Sequence, residues 1–600
     1  MTRFSKVTAL LTCAAIPALG SGTPCNPEDF APGAAGLTHG PVVGAVGGRS
    51  ATIGFRTGKA ACVQIRYAPV LETPSVTTSD GVLTRSGDDF VGRILINNLT
   101  PATDYEYTIL VNGIATPFLS APRFKTFPLA DDGASFSFGV LSDLNGNRAA
   151  PAMHALALEN PDFVVILGDY DHRNPATLAE MRTMHRELRE EGATGPDLRD
   201  QVLRRFPVSH VWDDHDYGTN DADKTFAAKV DALKAFDEYW PTYPRPNGNN
   251  GIWYRFSYGA LAEVYMLDLR YQRDSKADPD DANKSMLDGG SIPDGQKAWL
   301  KESLRASAAT WKFIASTVPW NPTVPKEDAW YGYQTEQREL VEFVRAQGIT
   351  GVIFFSGDIH LGGAIDNGSN AYFPELNVPH TNNLSDNTTC GGSDGCGAWS
   401  EGWDPGGGGY GLVTASRDSV LLEVKDESGI QQFSLRTDNP AAAGIELMPV
   451  NGLVTSESGD AAEFSAVLRM QPTSSVAIGL SSTHAGEGLP APIELVFTPK
   501  NWNRPQTVTV TGVSDGLNDG DTPYRVVTAA AASADPLYAG LDPDDVSIVN
   551  LDNAAPNNGG GGGCAFKAGG RFDPGFPWLL LTMLACWLWR HVNPGSGSLR

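Results

Sequence analysis

Apolar and polar positions along this chain fall into three successive regimes. Between residues 37 and 127, short runs alternate every few residues, as in Ala51-Thr-Ile-Gly-Phe55, Cys62-Val-Gln-Ile-Arg-Tyr67 and Arg93-Ile-Leu-Ile96. Period-two alternation bounded by turn residues predicts a small antiparallel β-sandwich. From 134 to 437 the pattern changes to continuous apolar runs separated by segments with helical spacing. The runs are Phe136-Ser-Phe-Gly-Val-Leu141, Phe163-Val-Val-Ile-Leu167, Pro207-Val-Ser-His-Val-Trp212 and Gly351-Val-Ile-Phe-Phe355. Helices are predicted over 177–191, 223–240, 295–307 and 334–347, and a hairpin over 253–267. This alternation gives an α/β class with layered sheets flanked by helices. From 445 to 553 the chain returns to short strands, predicting a second β-sandwich.

The ends of the four apolar runs carry the candidate chemistry. They stop at Ser142-Asp143-Leu144-Asn145, Gly168-Asp169-Tyr170, Asp213-Asp214-His215-Asp216 and Gly357-Asp358-Ile359-His360. In sheets wrapped by helices, ligands bind just beyond the carboxyl ends of strands. Oxygen and imidazole donors gathered there form a hard-to-borderline ligand set suited to Fe, Mn, Mg, Ca or Zn. Two ions sharing a carboxylate can clamp a phosphoryl group. Asp169 is the natural bridge and Tyr170 can ligate beside it. Asp143 and His360 complete one shell, and Asp214 and Asp358 serve the other. Asn145 and Asn220 are neutral-oxygen candidates. His215 is assigned to protonating a leaving group, and Arg148 and Arg273 to steadying phosphate oxygens. His154, His172, His185 and His210 are read as structural or solvated.

Length and charge narrow the setting. Six hundred residues imply about three domains. A net charge of −25 excludes a general or sequence-specific nucleic-acid binder, whose partner needs basic surface. Residues 1–20, with Arg3 and Lys6 before an apolar run, read as a signal peptide. Export makes Cys25, Cys62, Cys390 and Cys396 disulfide candidates, Cys390–Cys396 the more favoured pair and Cys25–Cys62 a plausible one. A Gly-rich linker over 554–570 precedes 571–600, whose apolar run is shorter than a usual span. Its place and basic end resemble a bacterial sorting signal, which implies membrane contact and an envelope or surface location, with release after processing.

Taken together, the motifs resemble the PhoD-type alkaline phosphatase/phosphodiesterase family of the metallophosphoesterases. The carrying residues are Gly168-Asp169-Tyr170, Trp212-Asp213-Asp214-His215-Asp216 with Asn220-Asp221, Leu267-Asp268-Leu269-Arg270-Tyr271, Gln296-Lys-Ala-Trp-Leu300 and Ser356-Gly357-Asp358-Ile359-His360. The resemblance implies an αββα metallophosphoesterase sandwich over 134–437. It also implies a fibronectin III-like sandwich over 37–127, whose Leu99-Thr-Pro-Ala-Thr-Asp-Tyr105 stretch is similar to a fibronectin corner. Residues 445–553 resemble a Calx-β-like module. The implied activity is hydrolysis of phosphate mono- or diesters by metal-bound hydroxide, with small phosphate esters, nucleotides or phosphodiester polymers as partners. The implied cofactors are two or more metal ions, iron and calcium by resemblance, with Mn, Mg or Zn as alternatives. Some family members have cysteine where this chain has Asp143, and the superfamily has histidine where Asn145 stands. The competing expectation is a catalytically inactive surface binding or adhesion protein that retains the metal site.

Overall fold

The computed structural model describes residues 23–552 apart from 71–75, 130–134, 145–149, 192–196, 247–249, 289–294, 361, 382–396, 403–407, 440–443, 470, 518–519 and 536. The signal-peptide reading, the Cys390–Cys396 pair and the 571–600 segment therefore lie outside the described residues, as do Asn145 and Arg148.

Two face-to-face sheets form the centre. The first runs, from edge to edge, Val208–His210, Phe163–Ile166, Phe136–Leu141, Gly409–Ala415, Ser419–Asp426 and Gln431–Asp438. Its first three strands are parallel and the rest antiparallel. The second runs Tyr254–Tyr258, Ala262–Met266, Trp311–Ala315, Val352–Ser356, Pro374–Asn377, Ala364–Asn367 and Glu401–Gly402. Phe163–Ile166 and Val352–Ser356 are buried at every position. Such strands lie between two covered faces, which is why they read as unbroken apolar runs. Aromatic rings interlock between the sheets: Phe138 stacks on Phe163 at 4.7 Å and meets Phe313 and Phe355 edge-on at 5.2 and 5.5 Å. Edge-on and offset contacts suit the ring quadrupole.

Helices cover the outer faces, giving the αββα order. Leu178–Glu187 opens with a capping box: the Thr177 hydroxyl accepts from Glu180 N–H, and the Glu180 carboxylate accepts from Ala176 N–H at 2.9 Å. Gln334–Ala346 buries Gln337, Leu340, Val341 and Val344, a stripe at helical spacing that packs the second sheet's outer face. One predicted helix and one predicted strand shorten. The segment expected from 223 is helical only over Lys229–Tyr239, because 223–228 forms turns. The run 207–212 forms a strand only over Val208–His210.

The N-terminal β-sandwich pairs Leu37–Gly44, Ser50–Thr57 and Val91–Asn97 against a sheet built on Cys62–Pro69 and Asp104–Val111. Thr100 N–H donates to the Tyr105 hydroxyl at 2.9 Å, pinning the corner singled out in the sequence. Cys25 and Cys62 form a disulfide. Phe127 then enters the core beside Phe163 and Tyr258, joining the sandwich to the central layers. Residues 445–551 form the C-terminal β-sandwich, with its own core around Phe464, Phe497, Val508 and Val526. No helix among the described residues is long and apolar enough to cross a membrane.

Candidate metal centre

The predicted strand ends converge. Asp143 follows Phe136–Leu141, Asp169 follows Phe163–Ile166, Asp213 and Asp214 follow Val208–His210, and Asp358 and His360 follow Val352–Ser356. The backbone turns sharply as each side chain is aimed. Asp143, Asp169, Asp358 and His360 have φ of 54°, 50°, 68° and 50°. Left-handed conformations cost L-residues energy and cluster where geometry serves function. Gly168 lets two loops touch: at φ 91°, a Cβ there would lie 2.4 Å from Asp213 N.

Four overlapping groups of donor atoms result, the atoms of each lying within 4.8 Å of one another. They are Asp143, Asp169, His172 and His360; Asp169, Asp214 and His215; Asp169, Asp213 and Asp358; and Asp214, Asp221 and Asp328. Asp169 belongs to three of the four, as a bridging carboxylate must.

The hydrogen bonds share one pattern. Asp143 Oδ2 accepts from Asp358 N–H at 3.1 Å, while the buried Oδ1 faces the His360 imidazole, 3.2 Å from Nε2. Asp213 Oδ1 accepts from Arg270 Nε at 2.6 Å and the Thr317 hydroxyl at 2.8 Å, leaving Oδ2 unpartnered. Asp214 Oδ2 accepts from Asp221 N–H at 2.6 Å, leaving Oδ1. Asp358 Oδ1 accepts from Lys326 Nζ at 2.6 Å, leaving Oδ2. Each carboxylate is thus anchored by one oxygen and offers the other. A buried polar atom left unmade costs roughly 1–3 kcal/mol. Four such oxygens around one shared carboxylate, with imidazole nitrogens beside them, suit hard or borderline cations.

Electrostatics agree with that fit. Burial pushes the Asp169 carboxyl well above its usual range, and the charges of Asp214 and Asp213 push it further. Burial also raises Asp358, although Lys326 opposes it. Burial would raise Asp143 too, but His360 holds it below the usual carboxylate range. Asp214 is likewise lowered, with Arg270 and His215 outweighing burial. Burial lowers His172 to about 4, so its imidazole is neutral near pH 7 and has a lone pair to offer. The rings of His172, His215 and His360 form a rim over the carboxylates, with His172 centred 4.6 Å from His215 and 5.4 Å from His360.

Several sequence assignments need correction. Tyr170 is not turned into the centre: its hydroxyl lies 3.2 Å from His185 Nε2, and its ring stacks on His185 at 4.9 Å. The turn that aims Asp169 inward leaves the Tyr170 ring in the core, edge-on to Trp240 at 6.2 Å. Asn220 is exposed, and the neighbouring Asp221 supplies the carboxylate. Arg273 is buried, donating to the carbonyl oxygens of Asp328, Asp221 and Ala222, so it braces loops and faces no substrate. His172, read as structural, stands 3.5 Å from Asp169 Oδ2. Its place three residues after Asp169 was the available signal. Asp213, although within a quoted motif, received no ligand role. Asp328 and Lys326 arrive on a loop that no periodicity marks. His185 and His210 are buried as expected, and His154 pairs with Asp197 at 2.8 Å.

Comparison with known proteins points the same way. Residues 145–378 match the family model for PhoD-like phosphatase. Alkaline phosphatase D of Bacillus subtilis (strain 168) is 28% identical over 291 residues, which cover 40% of this chain and 49% of that protein. The match therefore spans about half the length of this curated relative. The solved structure of PhoD shares the fold, with a TM-score of 0.54 at 18% identity over 72% of this chain and 91% of that one. A purple acid phosphatase from yellow lupin (Lupinus luteus) seeds aligns with a TM-score of 0.45 at 13% identity, covering 66% of this chain and 74% of that one.

Proposed function

We infer, from the match of residues 145–378 to the family model for PhoD-like phosphatase, that this protein is an exported, metal-dependent phosphoric ester hydrolase. The carrying observation is the set of half-anchored carboxylates around Asp169. Asp143, Asp169, His172 and His360 would hold one cation, and Asp214, or Asp213 with Asp358, would reach a second that shares Asp169. Bound there, such ions supply Lewis acidity that activates water and neutralises phosphoryl oxygens. Iron and calcium are the cations the family suggests, and Mn, Mg or Zn suit the same donors.

The chain's own groups do the remaining work. Asn174 Oδ1 accepts from His215 Nδ1–H at 2.8 Å and fixes the ring. Nε2, 3.8 Å from Asp214 Oδ1, is then the nitrogen turned toward the pocket. Protonated, it can pass its proton to the departing alkoxide. Arg270 and Thr317 fix Asp213, so the pocket is preorganised before substrate enters. Phosphate mono- or diesters fit this chemistry, whether small esters, nucleotides or phosphodiester polymers. The Cys25–Cys62 disulfide supports an oxidising compartment outside the cytoplasm. Residues 571–600 would retain the protein at the envelope.

The test is release of nitrophenol from simple phosphate esters. A chelator should abolish it, and a divalent or ferric cation should restore it. Undiminished turnover in metal-free, chelator-treated protein would refute the assignment.

A further inference from the structure

We propose that Lys326 is a substrate-binding residue whose ammonium, beside Asp358 at the edge of the carboxylate pocket, takes a phosphoryl oxygen of the ester. The proposal rests on the phosphoric-ester reading above. A phosphate ester is an anion approaching a pocket walled by carboxylates, so a cationic side chain near the reacting group would add to the attraction of bound ions. Two of the candidates are committed elsewhere. Arg270 is fully buried behind Asp213, and Arg273 is spent on three carbonyl oxygens.

Lys326 differs from both. Its Nζ lies 2.6 Å from Asp358 Oδ1 and 3.0 Å from the Asp358 carbonyl oxygen. The other oxygen of the same carboxylate is unpartnered, and Asp358 groups with Asp169 and Asp213. A single carboxylate therefore separates the ammonium from the centre. The side chain is 34% exposed, so it borders solvent at the edge of the pocket.

The loop beneath it is fixed. Lys326 N–H donates to Val324 O at 2.7 Å, and Ala329 N–H donates to Lys326 O at 3.0 Å. Asn321 donates to Ala398 O, and the indole of Trp320 donates to Ala371 O, both at 2.7 Å. This lysine is built into position. Lys276, by contrast, pairs with Asp221 in the corner that lacks Asp169.

Lys326→Met removes the charge and keeps the stem, while Lys326→Arg keeps the charge. Inorganic phosphate is titrated calorimetrically into the metal-loaded proteins, metal content is measured, and KM and kcat are determined on nitrophenyl phosphate. A hydrogen bond between charged partners predicts that Lys326→Met weakens phosphate binding and raises KM by roughly tenfold or more. Metal content should equal that of the unaltered protein, and Lys326→Arg should recover most of the loss. Unchanged phosphate affinity would overturn the proposal. So would a loss of bound metal that accounts for the weaker binding, since Lys326 would then act only as a prop for Asp358. If the unaltered protein hydrolyses no ester, the phosphoesterase reading fails by itself, and phosphate calorimetry still decides Lys326.

Discussion

Arg270→Met gives the sharpest energetic test of the buried charge arrangement. The Arg270 guanidinium is sealed from solvent, bonded through Nε to Asp213 and within 3.7 Å of Asp214 and 3.6 Å of Asp328. Burial opposes its charge, but Asp213 and Asp214 more than offset that and keep it protonated. Methionine fills much of the space and leaves those carboxylates uncompensated, a change that costs about 3–5 kcal/mol when one partner of a buried pair is removed. For a domain of this size each kcal/mol moves the midpoint by roughly 2–4 °C, so the central-domain transition should fall by roughly ten degrees in chelator. Added cations should narrow the gap, because a more negative pocket holds them more tightly and their stabilisation grows with affinity. Scanning calorimetry of both proteins, with chelator and with saturating cation, measures this. A drop below about 1 kcal/mol in chelator, or an equal drop in both conditions, would refute the reasoning.

Three further outcomes follow from particular residues. Gly168→Ala puts a Cβ 2.4 Å from Asp213 N at a φ of 91°, so stability should fall by about 3 kcal/mol or more in chemical denaturation; an alanine variant of native stability would contradict the contact. His172→Phe should lower bound metal, measured by elemental analysis, while Tyr170→Phe should leave it unchanged. The reverse result would return the ligand role to the phenol. Burial, with help from Arg56 and Arg186, lowers His39 to about 3. A base depressed on folding stays neutral in the native state, so its contribution is complete above about 6.5 and is lost as pH falls toward 3. His39→Gln should therefore remove up to about 1.4 kcal/mol per pH unit from the slope of stability across that window. An unaltered slope would show that His39 does not titrate on unfolding.

The sequence made the strand-end carboxylates legible for a physical reason. Buried parallel strands read as unbroken apolar runs, and the polar residue that stops each run must lie at the sheet's edge. Asp143, Asp169, Asp214, Asp358 and His360 were found this way, and the αββα layering came with them. Direction was not legible: Tyr170 is adjacent to Asp169 along the chain yet points into the core. Nor were donors carried by irregular loops. Asp221 and Asp328 reach the same corner from loops far apart in sequence, a meeting that only tertiary packing creates. Cys25 and Cys62 were one of two plausible pairs, and the strand pairing of both to Gly81–Leu83 is what brings them together.

The central claim is that Asp169 is shared between cations held by its neighbours. Anomalous diffraction from crystals of the metal-loaded protein tests it most directly. Peaks on both sides of the Asp169 carboxylate are expected, one contacted by Asp143, His172 and His360 and another within reach of Asp214 or Asp358. Ions bound elsewhere, with Asp169 touching none, would contradict the account.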